Sequence, residues 1–137
     1  MNSPILITPD YEKQFKLYVD ASDVAAGSVL MQEKNGIDHP ISYFSKKFTK
    51  SQRNYSTVEK ECLALLLSLQ HFDVYLSTTV HSILVFTDHN PLIFINKMKN
   101  KNARLTRRSL LLQEFNIQIC HIKGTENVFA DTLSRIC

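Results

Sequence analysis

Two acidic residues stand at the ends of segments with the patterns of β-strands. Asp20 ends an alternating apolar and polar run that begins at Phe15, and Asp88 follows the apolar run from Ser82 to Thr87. In open sheets with helices on their faces, ligands bind beyond the ends of strands. If the two strands are parallel neighbours, both carboxylates project into one crevice, where their repulsion is costly unless a cation lies between them.

Further acidic residues come from two predicted helices. Apolar residues at a spacing of three and four predict a helix over 58–72, which carries Glu59 and Glu61. At ~100° per residue these two lie on opposite sides of the apolar stripe, so geometry barely separates them. Glu59 fits the closing position of a capping box that begins at Ser56, which favours Glu61 as the site residue. Asp131, between apolar residues near the start of the last predicted helix, completes the set.

Three or four carboxylates in one cleft would form a site of hard oxygen ligands. Such a site suits Mg²⁺ or Mn²⁺. Two ions ~4 Å apart can activate a water molecule and stabilise a leaving oxygen in phosphodiester hydrolysis. Each acid taken alone is more commonly a helix cap or a surface charge, so the hypothesis depends on all of them sharing one cleft.

Basic residues are concentrated in one part of the chain. The net charge is only +3, yet no acidic residue lies between Asp88 and Glu114. The basic residues of that segment are Lys97, Lys99, Lys101, Arg104, Arg107 and Arg108. A basic segment on a mildly acidic body favours a polyanionic partner. From charge alone, a solvated loop and helix face is an equally good interpretation.

Length and composition predict a single globular domain over 1–137, with residues 1–13 as a lead-in segment. The chain has 137 residues, of which 44% are hydrophobic and 21% charged, as in packed domains and unlike disordered chains. No apolar run approaches the ~20 residues that span a bilayer. Three cysteines without a C-x-x-C pair argue against a zinc site and favour a reducing, intracellular compartment.

The elements that would position the acids follow the order β-β-β-α-β-α-α-β-α. The first three strands are predicted at 15–20, 27–32 and 41–45, and Asn35–Gly36 is a strong hairpin signal between the second and third. Later strands are predicted at 82–87 and 116–122, with helices beginning near Asn90 and covering 105–115 and 125–136. This order predicts an α/β protein with one mixed sheet and helices on its faces.

Seven short motifs in this order, spread from about Pro9 to Arg135, match a known family. They are Tyr18–Asp23, Ile41–Lys46, Asn54–Glu61, Thr87–Leu92, Leu111–Phe115, Lys123–Asn127 and Ala130–Arg135. Through them the chain resembles the ribonuclease H domain of gypsy-type long-terminal-repeat retrotransposon polyproteins. Each motif alone is weak, and their succession at matching spacing is a strong signal.

The resemblance implies a fold, a site and a reaction. The fold is ribonuclease H-like, a five-stranded mixed sheet whose first three strands are antiparallel, with helices on both faces. The catalytic and metal-binding residues are Asp20, Glu61, Asp88 and Asp131. The reaction is metal-dependent, endonucleolytic hydrolysis of the RNA strand of RNA–DNA hybrids, with two Mg²⁺ ions for which Mn²⁺ can substitute. RNA is distinguished from DNA by its 2′-hydroxyl groups across a wide minor groove.

The implied partners are the hybrid and a reverse transcriptase domain of the same polyprotein, in a cytoplasmic virus-like particle. No membrane partner is expected, and the isolated domain is expected to be monomeric. Hybrid contacts, largely to phosphates, are expected from Ser22, Lys46, Asn90, Lys97, Lys99, Lys101, Arg104, Arg107 and Arg108. Arg107–Arg108 replaces the Arg-Trp pair that is common in the family.

Two other functions compete with the nuclease. One is a catalytically silent scaffold or nucleic-acid clamp beside a reverse transcriptase, against which the presence of all four acids argues. The other is a phosphoryl-transfer enzyme with an aspartyl nucleophile. That chemistry needs Asp-x-Asp after the first strand, whereas the chain has Asp20 and Asp23 three positions apart.

Overall fold

The computed structural model describes residues 6–87 and 116–121. These residues form one five-stranded sheet, a long helix, a short helix and a 3-10 turn at Gln52–Asn54. The strands are β1 (Lys16–Ala21), β2 (Ala25–Lys34), β3 (Ile37–Lys47), β4 (Ile83–Thr87) and β5 (Ile117–His121). The helices are α1 (Thr57–His71) and α2 (Asp73–Leu76).

The sheet is mixed, in the spatial order β3-β2-β1-β4-β5. β1 pairs antiparallel with β2, and β2 with β3, whereas β4 runs parallel to both β1 and β5. The predicted mixed sheet with three antiparallel strands at its start is therefore confirmed. β1, β3 and β4 all end at the same side of the sheet, which we call the carboxyl end of the sheet.

The β2–β3 hairpin is longer than the sequence pattern predicts. Asn35 and Gly36 both have positive φ, 58° and 79°, the backbone form of a two-residue type I′ turn. Lys34 therefore pairs directly with Ile37, and the ladder continues to the turn. The prediction stopped β2 before the turn and began β3 after it. It did so because the residues nearest the turn are exposed and break the apolar alternation.

The lead-in segment, of which residues 6–13 are described, is held to the sheet by backbone and side-chain hydrogen bonds. Ile7 N donates to Pro40 O at 3.0 Å. The Gln32 amide donates to Asp10 O at 2.7 Å and to Lys13 O at 3.3 Å, and its oxygen accepts from Asp10 N at 2.8 Å. Gln32 is only 1% exposed. The lead-in segment is thus anchored at the side opposite to the carboxyl end of the sheet.

Helix α1 begins where the capping chemistry predicts. The Ser56 hydroxyl accepts from Glu59 N at 3.2 Å, and the Glu59 carboxylate accepts from Ser56 N at 3.2 Å. The predicted apolar stripe of α1 packs on β1 and β2 and forms the main core. Its buried members include Cys62, Leu65, Leu66 and Leu69, followed by the helix C-cap Phe72. The predicted helix and its capping box are confirmed.

The opposite face of the sheet carries a smaller cluster around Tyr18, Val29 and Met31. The Tyr18 ring stacks on Phe86 with centroids 4.6 Å apart. Its hydroxyl donates to Asp38 Oδ2 at 3.4 Å, while Lys16 Nζ lies 2.9 Å from Asp38 Oδ1. Burial and, secondly, the neighbouring Asp38 carboxylate raise the pKa of Tyr18 far above its usual value.

Several predicted elements lie outside the described residues. These are the helix beginning near Asn90 and the helices at 105–115 and 125–136, so helices on the second face of the sheet remain a prediction. Within the described ranges, no helix is long and apolar enough to cross a membrane.

Candidate active site

Asp20 and Glu61 meet at the carboxyl end of the sheet. Asp20 is the fifth residue of β1 and its side chain is exposed. Glu61 lies in the second turn of α1 and is only 2% exposed. Because α1 packs across β1 and β2, its first turns lie above the point where β1 ends. The pair therefore consists of one solvent-facing carboxylate and one buried carboxylate.

The two carboxylates share one backbone donor. Ala21 N lies 2.9 Å from Asp20 Oδ1 and 2.9 Å from Glu61 Oε1, a three-centre hydrogen bond. The two oxygens are therefore separated by no more than twice that distance. Burial of a carboxylate is costly unless hydrogen bonds or a cation compensate it, and the Ala21 N–H provides one such bond to Glu61.

A tight turn directly after Ala21 fixes the end of β1. Ser22 N donates to Ala25 O at 2.9 Å. The Ser22 hydroxyl accepts from Val24 N at 3.3 Å and from Ala25 N at 3.1 Å, and donates to Ala25 O at 3.3 Å. In the described structure this hydroxyl therefore closes the β1–β2 turn. The predicted contact of Ser22 with nucleic acid stays a prediction.

Lys60 contacts the same turn from α1. Its ammonium nitrogen lies 3.9 Å from Asp23 Oδ1. The Lys60 residue is 8% exposed, whereas the Asp23 side chain is fully exposed. The consecutive residues Lys60 and Glu61 thus contact the β1–β2 turn and the last residue of β1, respectively. Lys60 was not predicted as a site residue, because a lysine in the first turns of a helix ordinarily faces solvent.

The structure brings together two of the four predicted acids. Asp88 and Asp131 lie outside the described residues, as do Asn90 and the basic segment from Lys97 to Arg108. In the described part of the chain, no group of three or more His, Cys, Asp or Glu residues is placed to hold a metal ion. Asp20 and Glu61 alone would form part of a binding site.

Basic residues also lie in the last positions of β3 and directly after it, at the carboxyl end of the sheet. Lys46 and Lys47 end β3 opposite Ala26 and Ala25. No acidic residue occurs between Asp38 and Glu59. The exposed cations of this stretch are Lys46, Lys47, Lys50 and Arg53. Only Lys46 of these four was predicted to contact nucleic acid. The segment from Lys97 to Arg108 was predicted to do so because it is basic and contains no acidic residue. The stretch around the end of β3 has the same pattern.

The donor set at Asp20 and Glu61 fits a hard divalent cation. Both residues offer carboxylate oxygens, which Mg²⁺ and Mn²⁺ prefer. Oxygens within twice 2.9 Å of each other are compatible with a common ion, because neighbouring ligands of Mg²⁺ are about 3 Å apart at metal–oxygen distances of about 2.1 Å. Ala21 N–H occupies part of this coordinating surface and orients both groups.

The chain is similar to parts of retroelement polyproteins. It is 43% identical over 135 residues to the "Retrovirus-related Pol polyprotein from transposon opus" of Drosophila melanogaster. That match covers 98% of the chain and 13% of the polyprotein. The chain thus spans about an eighth of the length of this relative.

Solved structures share the fold at low sequence identity. One is the foamy viral protease-reverse transcriptase in complex with RNA/DNA hybrid, with a TM-score of 0.67 and 18% identity over 90% of the chain and 17% of that protein. Another is LC11-RNase H1 in complex with RNA/DNA hybrid, with a TM-score of 0.62 and 18% identity over 88% of the chain and 93% of that protein. The fold is therefore ribonuclease H-like.

Residues 10–115 match the family described as "RNase H-like domain found in reverse transcriptase". This stretch contains the strand that carries Asp20, the hairpin, and the helix that carries Glu61. By this match the chain belongs to the RNase H-like domain family of reverse transcriptases.

Proposed function

We propose that the chain is the ribonuclease H domain of a gypsy-type retrotransposon polyprotein and hydrolyses the RNA strand of RNA–DNA hybrids. The observation that carries this proposal is the convergence of Asp20 and Glu61 on the Ala21 N–H, 2.9 Å from each carboxylate. A scaffold gains nothing from two acids held this close together, because their mutual repulsion opposes folding.

The topology supports a contribution from Asp88. This residue follows Thr87, the buried last residue of β4, directly in the sequence. β4 is the parallel neighbour of β1, so the chain leaves β4 at the same carboxyl end of the sheet where Asp20 is exposed. We propose Asp88, and Asp131 from the family resemblance, as the remaining ligands.

Asp20 and Glu61 have different roles in the proposed reaction. Asp20 is exposed, so it can face both a metal ion and the scissile phosphate. Glu61 is buried and held by a backbone donor, which restricts its side chain to one orientation. When bound, Mg²⁺ or Mn²⁺ would supply an activated water and charge stabilisation at the leaving oxygen. Exposed cations after β3 would hold backbone phosphates without reading sequence.

The substrate and partner follow from the same proposal. The two structural neighbours named above were solved with RNA/DNA hybrids, which supports a hybrid as the substrate. The transposon relative is a polyprotein of which the chain spans 13%. We propose that a reverse transcriptase domain of the same polyprotein supplies hybrids and adds to their binding.

The test is cleavage of a hybrid labelled on its RNA strand, with Mg²⁺, Mn²⁺ or EDTA. Glu61→Gln and Asp20→Asn should each abolish metal-dependent cleavage. Glu59→Gln is the matched control, since it lies two positions away on the same helix and glutamine can also close a capping box. It should keep nearly full activity.

The outcome separates the nuclease from the alternative function. A wild-type chain that binds the hybrid but never cleaves it, including when fused to its reverse transcriptase domain, would identify a silent clamp. Equal loss of cleavage in Glu59→Gln and Glu61→Gln would also contradict the assignment of Glu61 as the site residue.

A further inference from the structure

Lys60 lies beside the candidate active site with a largely buried side chain. It precedes Glu61 on α1 and is 8% exposed. Its ammonium nitrogen is 3.9 Å from Asp23 Oδ1, which is longer than a hydrogen bond between these groups. Within residues 6–87 and 116–121, Asp23 is the one carboxylate within ion-pair distance of Lys60.

This ion pair does not account for a charged side chain at this position. Asp23 is fully exposed, and ion pairs with solvent-exposed partners contribute little to stability. Lysines commonly bury the stem of the side chain while the charged group stays at the surface. The packed Lys60 side chain thus holds its ammonium group beside the exposed Asp23 carboxylate. A cation in this place can be reached by an anion that arrives from outside.

The surroundings of Lys60 indicate which anion that is. Asp20 and Glu61 lie at the same end of the sheet, and they would repel an anion unless cations neutralise them. Lys46 and Lys47 are exposed where β3 ends beside the β1–β2 turn, in which Phe48 N donates to Val24 O at 2.8 Å. A polymer with regularly spaced negative charges can contact these lysines and Lys60 together.

We propose that Lys60 exchanges its ion pair with Asp23 for a backbone phosphate of the bound hybrid. This inference rests on the proposed function, because it takes an RNA–DNA hybrid as the ligand. Asp23 is the resting partner: it neutralises Lys60 in the free protein and turns to solvent on binding. Lys60 is then a substrate-binding residue that also ties the hybrid to the helix carrying Glu61.

The exchange predicts opposite effects at the two residues. Lys60→Met should weaken hybrid binding roughly fivefold or more and reduce the slope of log affinity against log salt by about one, as expected for one lost phosphate contact. Lys60→Arg should retain the slope. Asp23→Asn removes the competing acid, so it should tighten binding roughly two- to fivefold, the range of an exposed ion pair.

The experiment is a fluorescence-anisotropy titration of a labelled hybrid in EDTA over a series of KCl concentrations. It compares the wild-type chain, the two Lys60 variants, Asp23→Asn and the double variant Lys60→Met/Asp23→Asn. Asp73→Asn controls for the general loss of a negative charge, since Asp73 is exposed and lies beyond the far end of α1. In the Lys60→Met background, Asp23→Asn should change the hybrid affinity no more than Asp73→Asn does in the wild type.

Two results would contradict the exchange. One is that Lys60→Met shows the same dependence of hybrid affinity on salt concentration as the wild type. The other is that Asp23→Asn increases the affinity equally with and without the Lys60→Met substitution. A thermal melt of Lys60→Met checks its fold, and Lys60→Arg tests the charge independently. Because no cleavage is measured, the outcome is distinct from that of the nuclease assay. A chain that binds through Lys60 yet never cleaves would contradict only the nuclease proposal.

Discussion

Asp20 Oδ1 and Glu61 Oε1 lie at the same distance, 2.9 Å, from the amide nitrogen of Ala21. The backbone donor thus stands between an acid from the end of a strand and an acid from a helix 40 positions later in the chain. It holds both groups at the carboxyl end of the sheet. Metal binding should therefore require little rearrangement of either side chain.

Divalent metal should stabilise the wild-type fold through this pair. A ligand that binds only the folded state raises the free energy of unfolding by about 1.4 kcal/mol at ten times its dissociation constant. For a domain of this size that corresponds to a rise in melting temperature of about 5 °C. Thermal melts with increasing Mg²⁺ or Mn²⁺ would measure the shift.

The shift should disappear in Asp20→Asn and in Glu61→Gln but persist in Glu59→Gln. In EDTA, Asp20→Asn should be at least as stable as the wild type, because one of two neighbouring negative charges is gone. A full metal-dependent shift in both site variants would show that the cation binds elsewhere.

Local chemistry made much of this site predictable. Ser56 and Glu59 form a capping box whose members are three positions apart, so their types and spacing determine where α1 begins. Asn35–Gly36 likewise fixes the hairpin, because both residues adopt positive φ readily. With α1 and β1 located, an acid at the end of the strand and an acid early in the helix were identifiable from the sequence alone.

Contacts between distant segments were not predictable in this way. The bond from Ala21 N to Glu61 depends on how closely α1 approaches β1, which no local pattern encodes. Lys60 has the pattern of a surface charge, yet only 8% of the residue is exposed. Gln32 resembles an exposed strand residue, yet its amide is satisfied by backbone groups about 20 positions earlier.

Gln32→Leu should release the lead-in segment from the sheet. The substitution removes three hydrogen bonds to residues 10 and 13, and each is worth about 1 kcal/mol net. Because the lead-in segment can then reach water, we expect local release and a loss of about 1–2 kcal/mol in the free energy of unfolding. The release of the lead-in segment would be measured as faster hydrogen exchange at the amides of Ile7 and Asp10.

Gln70→Leu is the matched control, since Gln70 is exposed near the end of α1. It should leave exchange in the lead-in segment unchanged. Protection of the Asp10 amide at the wild-type level in Gln32→Leu would contradict the role assigned to the Gln32 side chain.

Ser56→Ala should destabilise the helix that carries Glu61. The Ser56 hydroxyl accepts from Glu59 N, and replacement of such an N-cap by alanine costs about 1 kcal/mol. Urea unfolding would give the change in the free energy of unfolding. Ser51→Ala is the control: Ser51 precedes the 3-10 turn and makes no side-chain capping bond, so its effect should be under about 0.5 kcal/mol.

Tyr18→Phe should change how stability depends on alkaline pH. Burial, and after it the Asp38 carboxylate, raise the pKa of Tyr18 in the folded state. The unfolded chain releases the phenol proton near pH 10, while the folded chain keeps it. The wild-type fold therefore loses stability as the pH rises above about 10, by up to about 1.4 kcal/mol per pH unit from this group.

The phenylalanine variant lacks this contribution. At neutral pH it should be about 0.5–1 kcal/mol less stable than the wild type, for the lost hydrogen bond to Asp38. That difference should shrink as the pH rises from 10 to 11. Asp38→Asn should keep most of the wild-type decline, because burial is the larger cause of the raised pKa of Tyr18. Urea unfolding between pH 7 and 11 would measure the free energy of unfolding of both proteins. If the difference between the wild type and Tyr18→Phe stayed constant over this range, the phenol of Tyr18 would not remain protonated in the folded state as predicted.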